Sequence, residues 1–290
     1  MPAFLLINPL SGSYSEALRN KLLIQLESVG ITPEVMTVTG PEDARQVCAL
    51  IEDSVENPLV LVAGGDGTIN AVINALAPGR STLGILPVGT ANVLAHELGI
   101  GSVEAAIECI AAGKSRPLAV GLLENDAGLS RRFVLMAGIG LDGGIVHGVR
   151  PLEKRFLKKG AYLLSALRIL LKWPRGRFLV VADGCRLECH SVIICNGARY
   201  GGNLELVPEA DISEPLLDLF CITSESRRSY LGIIASVLSG RSGERNDVKR
   251  LRASRITVGS DRPIQLDGDG CGRAPVKIGV LANFAEILTP

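Results

Sequence analysis

A wholly apolar run that ends in a glycine-rich turn with one carboxylate constrains this chain more than any other feature. Leu59–Ala63 leads directly into Gly64-Gly65-Asp66-Gly67-Thr68, after which the pattern becomes helical. Glycines let backbone N–H groups approach an anion that a Cβ would hold away, and a helix N-terminus adds N–H groups and the positive end of its dipole. The order strand, turn, helix therefore predicts a phosphate-binding loop, in which Asp66 would help to hold a metal ion or receive a proton.

A second turn of the same kind follows. The apolar run Leu83–Leu86 leads into Pro87-Val88-Gly89-Thr90-Ala91-Asn92, where another helical pattern begins. The turn after the first strand, Asn8-Pro9-Leu10-Ser11-Gly12-Ser13, is explained equally well by simple helix capping. One such turn is a weak sign of a ligand, but two in succession, the first with an embedded acid, predict a nucleotide triphosphate site for phosphoryl transfer.

Strand and helix patterns alternate over the first ~115 residues, which predicts a parallel sheet covered on both faces with ligands at the carboxyl ends of its strands. After Pro117 short strand patterns dominate, with helical patterns only at Lys159–Trp173 and Arg227–Ser239. This half is typical of an antiparallel β-sandwich. We therefore predict an α/β N-terminal domain over 1–117 and a β-sandwich domain over 118–282, with a cleft between them.

Composition excludes several classes of partner. The chain has 290 residues with 30 Lys and Arg against 30 Asp and Glu, so it has no overall field to attract nucleic acid. It has no apolar run of about 18 residues, so we expect no transmembrane segment. Seven scattered cysteines without a Cys-x-x-Cys pair are typical of a reducing, cytoplasmic compartment. The apolar segment Lys159–Trp173, next to a basic cluster, would either rest on an anionic membrane surface or form a core helix.

Three further motifs have ambiguous chemistry. Gly138–Gly143 fits a dinucleotide fingerprint, but Gly148 and Pro151 interrupt the helix that this motif needs, so we exclude it. The turn Leu266-Asp267-Gly268-Asp269-Gly270 either brings a general base to the cleft or is a plain surface turn. Spaced acids over 208–218 suit either a hard cation such as Mg²⁺ or a solvated loop; they are Glu209, Asp211, Glu214 and Asp218.

These motifs together resemble one family. The chain carries, in order, Asn8-Pro9…Ser11-Gly12, Gly64-Gly65-Asp66-Gly67-Thr68, Pro87-x-Gly89-Thr90-x-Asn92, Lys159-Gly160-x-Tyr162, Asn196-Gly197…Tyr200-Gly201-Gly202, Pro208-x-Ala210, Leu217-Asp218 and Leu266-Asp267-Gly268. In this order, over nearly the whole chain, they resemble the diacylglycerol kinase catalytic-domain family of lipid kinases. Sphingosine and ceramide kinases belong to the same superfamily, and NAD kinases are more distant relatives that share the first glycine motif.

The resemblance implies ATP bound between the two domains, Mg²⁺, and transfer of the γ-phosphoryl group to a lipid hydroxyl at a membrane surface. It implies that the last strand, within 283–290, completes the first domain. Asp66 would face the phosphates and the metal, Asp269 would be the base, and Glu214 and Asp218 would belong to a second metal site. The nucleotide-binding residues would be Asn8, Thr39, Gly64, Gly65, Gly67, Thr68, Thr90 and Asn92.

Two departures from the family pattern leave alternatives open. Asp269 stands where the family has a glutamate, and Glu214-Pro215 replaces an Asp-Gly pair, so that an N–H is lost at the expected metal site. One alternative is a kinase of a soluble alcohol or a nucleotide, similar to NAD kinase. The other is an inactive homologue that binds a lipid or a nucleotide. The sequence does not specify which lipid, diacylglycerol-like or sphingoid, would be the acceptor.

Overall fold

The computed structural model describes residues 2–148, 173–200, 204–240 and 245–290. The predicted helix over 159–173 lies outside these residues except for Trp173. The N-terminal part consists of β1 (Ala3–Ile7), α1 (Glu16–Ser28), β2 (Glu34–Thr37), α2 (Pro41–Ser54), β3 (Leu59–Gly64), α3 (Asp66–Ala75), β4 (Thr82–Pro87), α4 (Val93–Glu97) and α5 (Val103–Ala112).

The C-terminal part is richer in strands. It comprises β5 (Ser115–Glu124), β6 (Ser130–Phe133), β7 (Met136–Ile139), α6 (Leu141–His147), β8 (Phe178–Ala182), β9 (Cys185–Cys189), β10 (Ser191–Cys195), β11 (Arg199–Tyr200), β12 (Leu204–Glu205), β13 (Leu217–Ile222), α7 (Arg227–Leu238), β14 (Val248–Ala253), β15 (Arg255–Val258), β16 (Pro263–Leu266), β17 (Asp269–Arg273) and β18 (Val276–Leu288).

The first sheet begins with four parallel strands in the order β2-β1-β3-β4. Every residue of β3 is buried, as expected for a parallel strand that is covered on both faces. The predicted parallel α/β sheet is therefore confirmed, and its carboxyl edge carries the turns that follow β1, β3 and β4.

A long last strand extends this sheet into the second half of the chain. β18 pairs in parallel with β4 through Glu286 and Ile287, and antiparallel with β15 through Val276–Gly279. β5 runs antiparallel to β18 over most of its length, with an irregularity between Leu281 and Ala285. The predicted division at 117/118 falls inside β5, so the domain bounds stay a proposal.

The second sheet is antiparallel, in the order β14-β13-β10-β7-β16-β17. Its inner face packs against the distal part of the first sheet, where alternate residues such as Phe133, Val180 and Ile278 meet Ile139, Ile194 and others. This confirms the predicted β-sandwich. The outer face of the second sheet contributes Ile193 and Phe220 to the larger core, together with side chains of α6 and α7.

Two predicted strands are each divided in the structure. The continuous run predicted over 186–195 forms β9 and β10, which belong to different sheets, because the chain turns at the buried His190. The strand predicted over 132–137 is interrupted at Val134 and Leu135, whose backbone N–H groups donate to a side chain described below.

Among the described residues, no helix is both long and apolar enough to cross a membrane. The seven cysteines are free thiols, and five of them are buried.

Candidate active site

Three turns meet at the carboxyl edge of the parallel sheet. Asn8, after β1, donates its side-chain N–H to the hydroxyl of Thr68 in α3, with 2.8 Å between Nδ2 and Oγ1. Its Oδ1 accepts from the backbone N–H of Leu10 at 2.8 Å. The predicted nucleotide-binding residues Asn8 and Thr68 therefore lie in contact, although they are 60 residues apart.

Glycine is required where the turns touch. A Cβ on Gly89 would lie 2.4 Å from the Cα of Gly65, and a Cβ on Gly64 would lie 2.6 Å from the Cβ of Thr68. These distances are far below any normal carbon contact, so the turn after β4 packs directly on the backbone of the turn after β3. The two predicted loops form one structural unit.

Helix α3 begins at Asp66, two residues earlier than its apolar pattern suggests. Gly65 is its N-cap and supplies no side chain to cap the helix. Within the described part of the chain, the backbone N–H groups of Asp66 and Gly67 donate to no protein acceptor, as is usual in the first turn of a helix. These donors, with the helix dipole, are able to receive phosphate oxygens.

The remaining predicted nucleotide-binding residues lie at the same edge in different roles. The hydroxyl and the N–H of Thr39 both donate to the carboxylate of Asp43, so Thr39 is held at the start of α2. Asn92 has a left-handed backbone and bonds Gly89 in both directions, at 2.8 and 3.0 Å. Thr90 is exposed, and its hydroxyl lies beside Gly12. Asn92 therefore shapes its own turn, whereas Thr90 faces outward.

A cavity of about 390 Å³ opens beside this edge, between the two halves of the chain. Asp66 lines it, and its Oδ1 accepts from the backbone N–H of Leu94 at 3.2 Å. Most of the remaining wall is apolar and includes Ala91, Val93, Leu135, Met136, Ile145 and Val146. An apolar cavity with a few polar groups is the usual form of a small-molecule site.

Asp142, at the start of α6, is a second carboxylate in the cavity wall, and the sequence did not single it out. Tyr200 donates its hydroxyl to Oδ1 of Asp142, and Gln265 donates Nε2 to Oδ2 at 2.8 Å. Burial raises the pKa of Asp142, and the two donors oppose that shift. The excluded fingerprint contains this residue: a Cβ on Gly138 would lie 1.7 Å from Oδ2 of Asp142.

Tyr200 is positioned from the other half of the chain. Glu97, at the end of α4, accepts the backbone N–H groups of Ala198 and Arg199 at 2.9 and 3.1 Å. These bonds fix the turn that leads into β11, and through it the hydroxyl that reaches Asp142. The motif Asn196-Gly197…Tyr200 thus supplies a polar group to the cavity.

The two carboxylates of the Asp267-Gly268-Asp269 turn have different surroundings. Asp267 has a φ of 47° and accepts four N–H groups, from Asn70, Val134, Leu135 and Met136, at 2.7–2.9 Å. Burial raises the pKa of Asp267, and these donors oppose the shift. Asp267 and Gly268 line the cavity, whereas Asp269 is exposed at the start of β17. Among the described residues, the cavity wall does not include Asp269.

At the predicted second metal site, an arginine pairs with both predicted ligands. Arg252 lies opposite Asp218 in the β13–β14 pair and contacts both acids, Glu214 at 2.6 Å and Asp218 at 3.3 Å. The neighbouring acids Glu209 and Asp211 likewise pair with Arg250 and Arg116. Glu214 and Asp218 therefore do not fit a magnesium site in this arrangement. In the described part of the chain, no group of three or more His, Cys, Asp or Glu side chains is placed to hold a metal ion.

A parallel α/β sheet with a phosphate-type turn, joined across an apolar cavity to a β-sandwich, defines a two-domain nucleotide-dependent phosphotransferase class. Residues 2–123 match the diacylglycerol kinase catalytic domain, and residues 137–289 match the YegS C-terminal NAD kinase beta sandwich-like domain. The chain belongs to the family that combines these two domains.

Full-length relatives support this assignment. The chain is 28% identical to a diacylglycerol kinase of Mycobacterium tuberculosis, over 98% of this chain and 94% of that protein. It is also 28% identical to a diacylglycerol kinase of Bacillus subtilis, over 99% and 96% of the two chains. A crystal structure of a diacylglycerol kinase from Bacillus anthracis superposes with a TM-score of 0.79 at 25% identity, covering 100% of this chain and 97% of that one.

Proposed function

We propose that this protein is an ATP-dependent lipid kinase that transfers the γ-phosphoryl group of ATP to the hydroxyl of a diacylglycerol-like or sphingoid acceptor. The observation that carries the proposal is Asp66: it occupies the first turn of α3, beside unpaired N–H groups, and it also lines an apolar cavity. One carboxylate thus faces both a site for phosphate and a site for an apolar acceptor. The family and the full-length relatives named above support the same reaction.

ATP would bind along the carboxyl edge of the parallel sheet. The N–H groups at the start of α3 would receive phosphate oxygens, and the Gly64-Gly65 turn would let them approach closely. Asn8 and Thr68 would hold the loop in shape through their mutual hydrogen bond. Thr90 and Thr39 are exposed at the same edge, and we assign them to the nucleotide; the Thr39 hydroxyl, which already donates to Asp43, would act there as an acceptor.

The acceptor would bind in the 390 Å³ cavity. Its apolar chain would contact Val93, Met136 and Ile145, and its polar head would lie near Asp66 and Asp142. In the transfer step, the acceptor oxygen forms a bond to the γ-phosphorus while the bond from that phosphorus to the β,γ-bridging oxygen breaks. ADP leaves with that oxygen, and the hydroxyl proton passes to a carboxylate.

We assign Asp66 as the carboxylate that accepts the hydroxyl proton, because it lines the cavity. The predicted base Asp269 is two residues beyond Asp267 and would need a movement of its turn to reach a bound hydroxyl; its role stays a prediction. Mg²⁺ would lie on the phosphate side of Asp66, held chiefly by substrate phosphates, because a carboxylate coordinated directly to the ion is a poor proton acceptor. Bound there, the ion would neutralise charge on the transferred phosphoryl group.

The test uses labelled ATP with four acceptors: diacylglycerol, sphingosine, ceramide and NAD. We expect label in a lipid product, and a loss of roughly 100-fold or more in kcat for Asp66→Asn, with a urea unfolding curve like that of the wild type. Undiminished turnover by Asp66→Asn, or label only in NAD, would refute the proposal.

The inactive alternative is tested in the same experiment. Saturable ATP binding without transfer to any acceptor, unaltered by Asp269→Glu, would identify a binding protein instead. Restored transfer in Asp269→Glu alone would show that the shorter side chain limits the reaction and would move the base from Asp66 to position 269.

A further inference from the structure

Helix α7 exposes a stripe of apolar side chains. Leu231, Ile234 and Leu238 are 61%, 53% and 64% exposed, and Ala235 is also exposed. Spacings of three and four residues put all four on one face of the helix. The opposite face is already buried through Tyr230 and Ile233, so this outer stripe serves no purpose in the core. A surface helix normally carries polar residues there.

The charge on α7 is entirely positive. Its twelve residues include Arg227 and Arg228 and no acid. Arg228 is exposed and precedes Leu231 by three residues, so it lies on the face of the stripe. Arg227 lies over the ring of Trp173, with 5.7 Å from Cζ to the ring centroid.

Among the described residues, the acids near the start of this helix are already paired. Glu225 accepts the N–H of Gly176 at 3.0 Å and contacts Arg177 at 3.7 Å. Asp247 is bonded by Arg245 and by the hydroxyl of Ser229. The surface at the start of α7 therefore carries a net positive charge, to which the exposed Arg175 adds.

The stripe lies one layer away from the cavity. The buried face of α7 packs in the same core as Ile145 and Tyr200, which line the cavity. α7 also packs against β12. β12 pairs with β11, and β11 contains Tyr200. A surface that contacted α7 would therefore lie beside the wall of the acceptor site.

We infer that α7 is a membrane-docking helix, which lays Leu231, Ile234 and Leu238 on an anionic bilayer with Arg227 and Arg228 at the level of the headgroups. An apolar face bordered by arginines is the pattern of helices that bind in the plane of a membrane. The inference rests on the proposed function, because a lipid kinase must meet its acceptor at a bilayer.

Size favours a bilayer over a second copy of the chain. From Leu231 to Leu238 the stripe is about 10 Å long, whereas a stable protein interface buries about 800 Å² on each partner. Four side chains on one short helix fall well below that area. Shallow insertion into a bilayer requires no larger surface.

The test is sedimentation with vesicles, compared between phosphatidylcholine alone and phosphatidylcholine with phosphatidylglycerol. We expect the wild type to bind the anionic vesicles. The triple variant Leu231→Ser, Ile234→Ser, Leu238→Ser should bind them roughly tenfold or more weakly. The pair Arg227→Gln, Arg228→Gln should also weaken binding and reduce its dependence on salt. The matched control is Ile24→Ser with Leu50→Ser, at residues 67% and 63% exposed on α1 and α2, and it should bind as the wild type does.

Kinase assays separate this inference from the proposed function. With a short-chain acceptor dispersed as monomers, the triple variant should turn over like the wild type, and it should lose activity only on vesicles. Three results would each overturn the docking surface. The triple variant could bind vesicles as well as the wild type does, or the wild type could fail to bind them. In light scattering, the wild type could be a dimer and the triple variant a monomer. Absence of transfer to every acceptor would refute the proposed function and leave the vesicle result standing.

Discussion

Asn70 of α3 and Asp267 at the end of β16 are joined by a hydrogen bond of 2.8 Å between Nδ2 and Oδ2. Asn70 lies one turn after Asp66, so the helix that presents the phosphate-binding N–H groups is tied to the β-sandwich. One turn further, Asn74 and Arg132 exchange two hydrogen bonds, at 2.9 and 3.0 Å. The position of Asp66 relative to the cavity is therefore set by polar bonds from one helix.

We expect Asp267→Asn to destabilise the fold by about 2–3 kcal/mol. The carboxylate of Asp267 accepts four N–H groups on its two oxygens, whereas the amide of Asn has only one oxygen that can accept. Urea unfolding at pH 7 measures the change. Asp269→Asn, in the same turn but exposed, is the control and should shift the midpoint little. Equal effects at the two positions would contradict the role given to Asp267.

Gly89→Ala should weaken ATP binding about tenfold, or about 1.4 kcal/mol, because the added Cβ would push the two turns apart at Gly65. Titration calorimetry with ATP measures the loss. Gly101→Ala is matched to it, since a Cβ at Gly101 meets nothing within 4 Å. Unaltered affinity in Gly89→Ala would show that the close approach of the turns does not shape the nucleotide site.

The pairing of Glu214 and Asp218 with Arg252 predicts a sandwich that needs no divalent cation. The Tm of the protein without nucleotide should be the same in excess EDTA and in Mg²⁺. Arg252→Ala should lower the free energy of unfolding by about 1 kcal/mol, because it leaves the nearly buried Asp218 without its cation, whereas the exposed pair with Glu214 is screened by solvent. Arg186→Ala, an exposed arginine on β9, should change little. A lower Tm of the wild type in EDTA would instead support a metal site at Glu214 and Asp218.

Asp247 predicts a dependence of stability on pH. Hydrogen bonds from Arg245, then from Ser229, lower the pKa of Asp247 to about 2. Since its folded pKa is depressed, the stabilisation is complete above the pKa of the unfolded chain and is lost as the pH falls from about 4 to about 2.

Asp247→Asn should therefore reduce stability by about 2 kcal/mol at pH 6, and the difference from the wild type should shrink over that acidic range. Urea midpoints measured from pH 2 to pH 7 provide the measurement. Asp126→Asn, which removes an exposed pair with Lys277, should change stability by about 0.5 kcal/mol or less. A difference that stays constant with pH would contradict the assignment.

Local patterns were sufficient for the parallel sheet and its turns. The glycine motif after Leu59–Ala63 and the one after Leu83–Leu86 are each contiguous in sequence, and parallel pairing brings them to one edge. The same reasoning was wrong over 186–195, where alternating apolar residues gave no sign that the chain leaves one sheet and enters another at His190.

The acceptor side of the cavity depends on contacts that no local pattern encodes. Asp142, Tyr200 and Gln265 come from three separate segments and meet only in the folded chain. The spacing of Gly138 and Gly143 did mark the turn that carries Asp142, but as a nucleotide fingerprint. Likewise, only the left-handed backbone of Asp267 decides which acid of its turn points inward.

β18 belongs to both halves of the molecule at once, through its bonds to β4, β5 and β15. A polypeptide emerging from the ribosome cannot complete the first sheet, which runs through both halves, until these late residues have been made. Neither half of the fold is thus an independent cooperative unit. Cutting the polypeptide between the halves would break the connection that this shared strand provides.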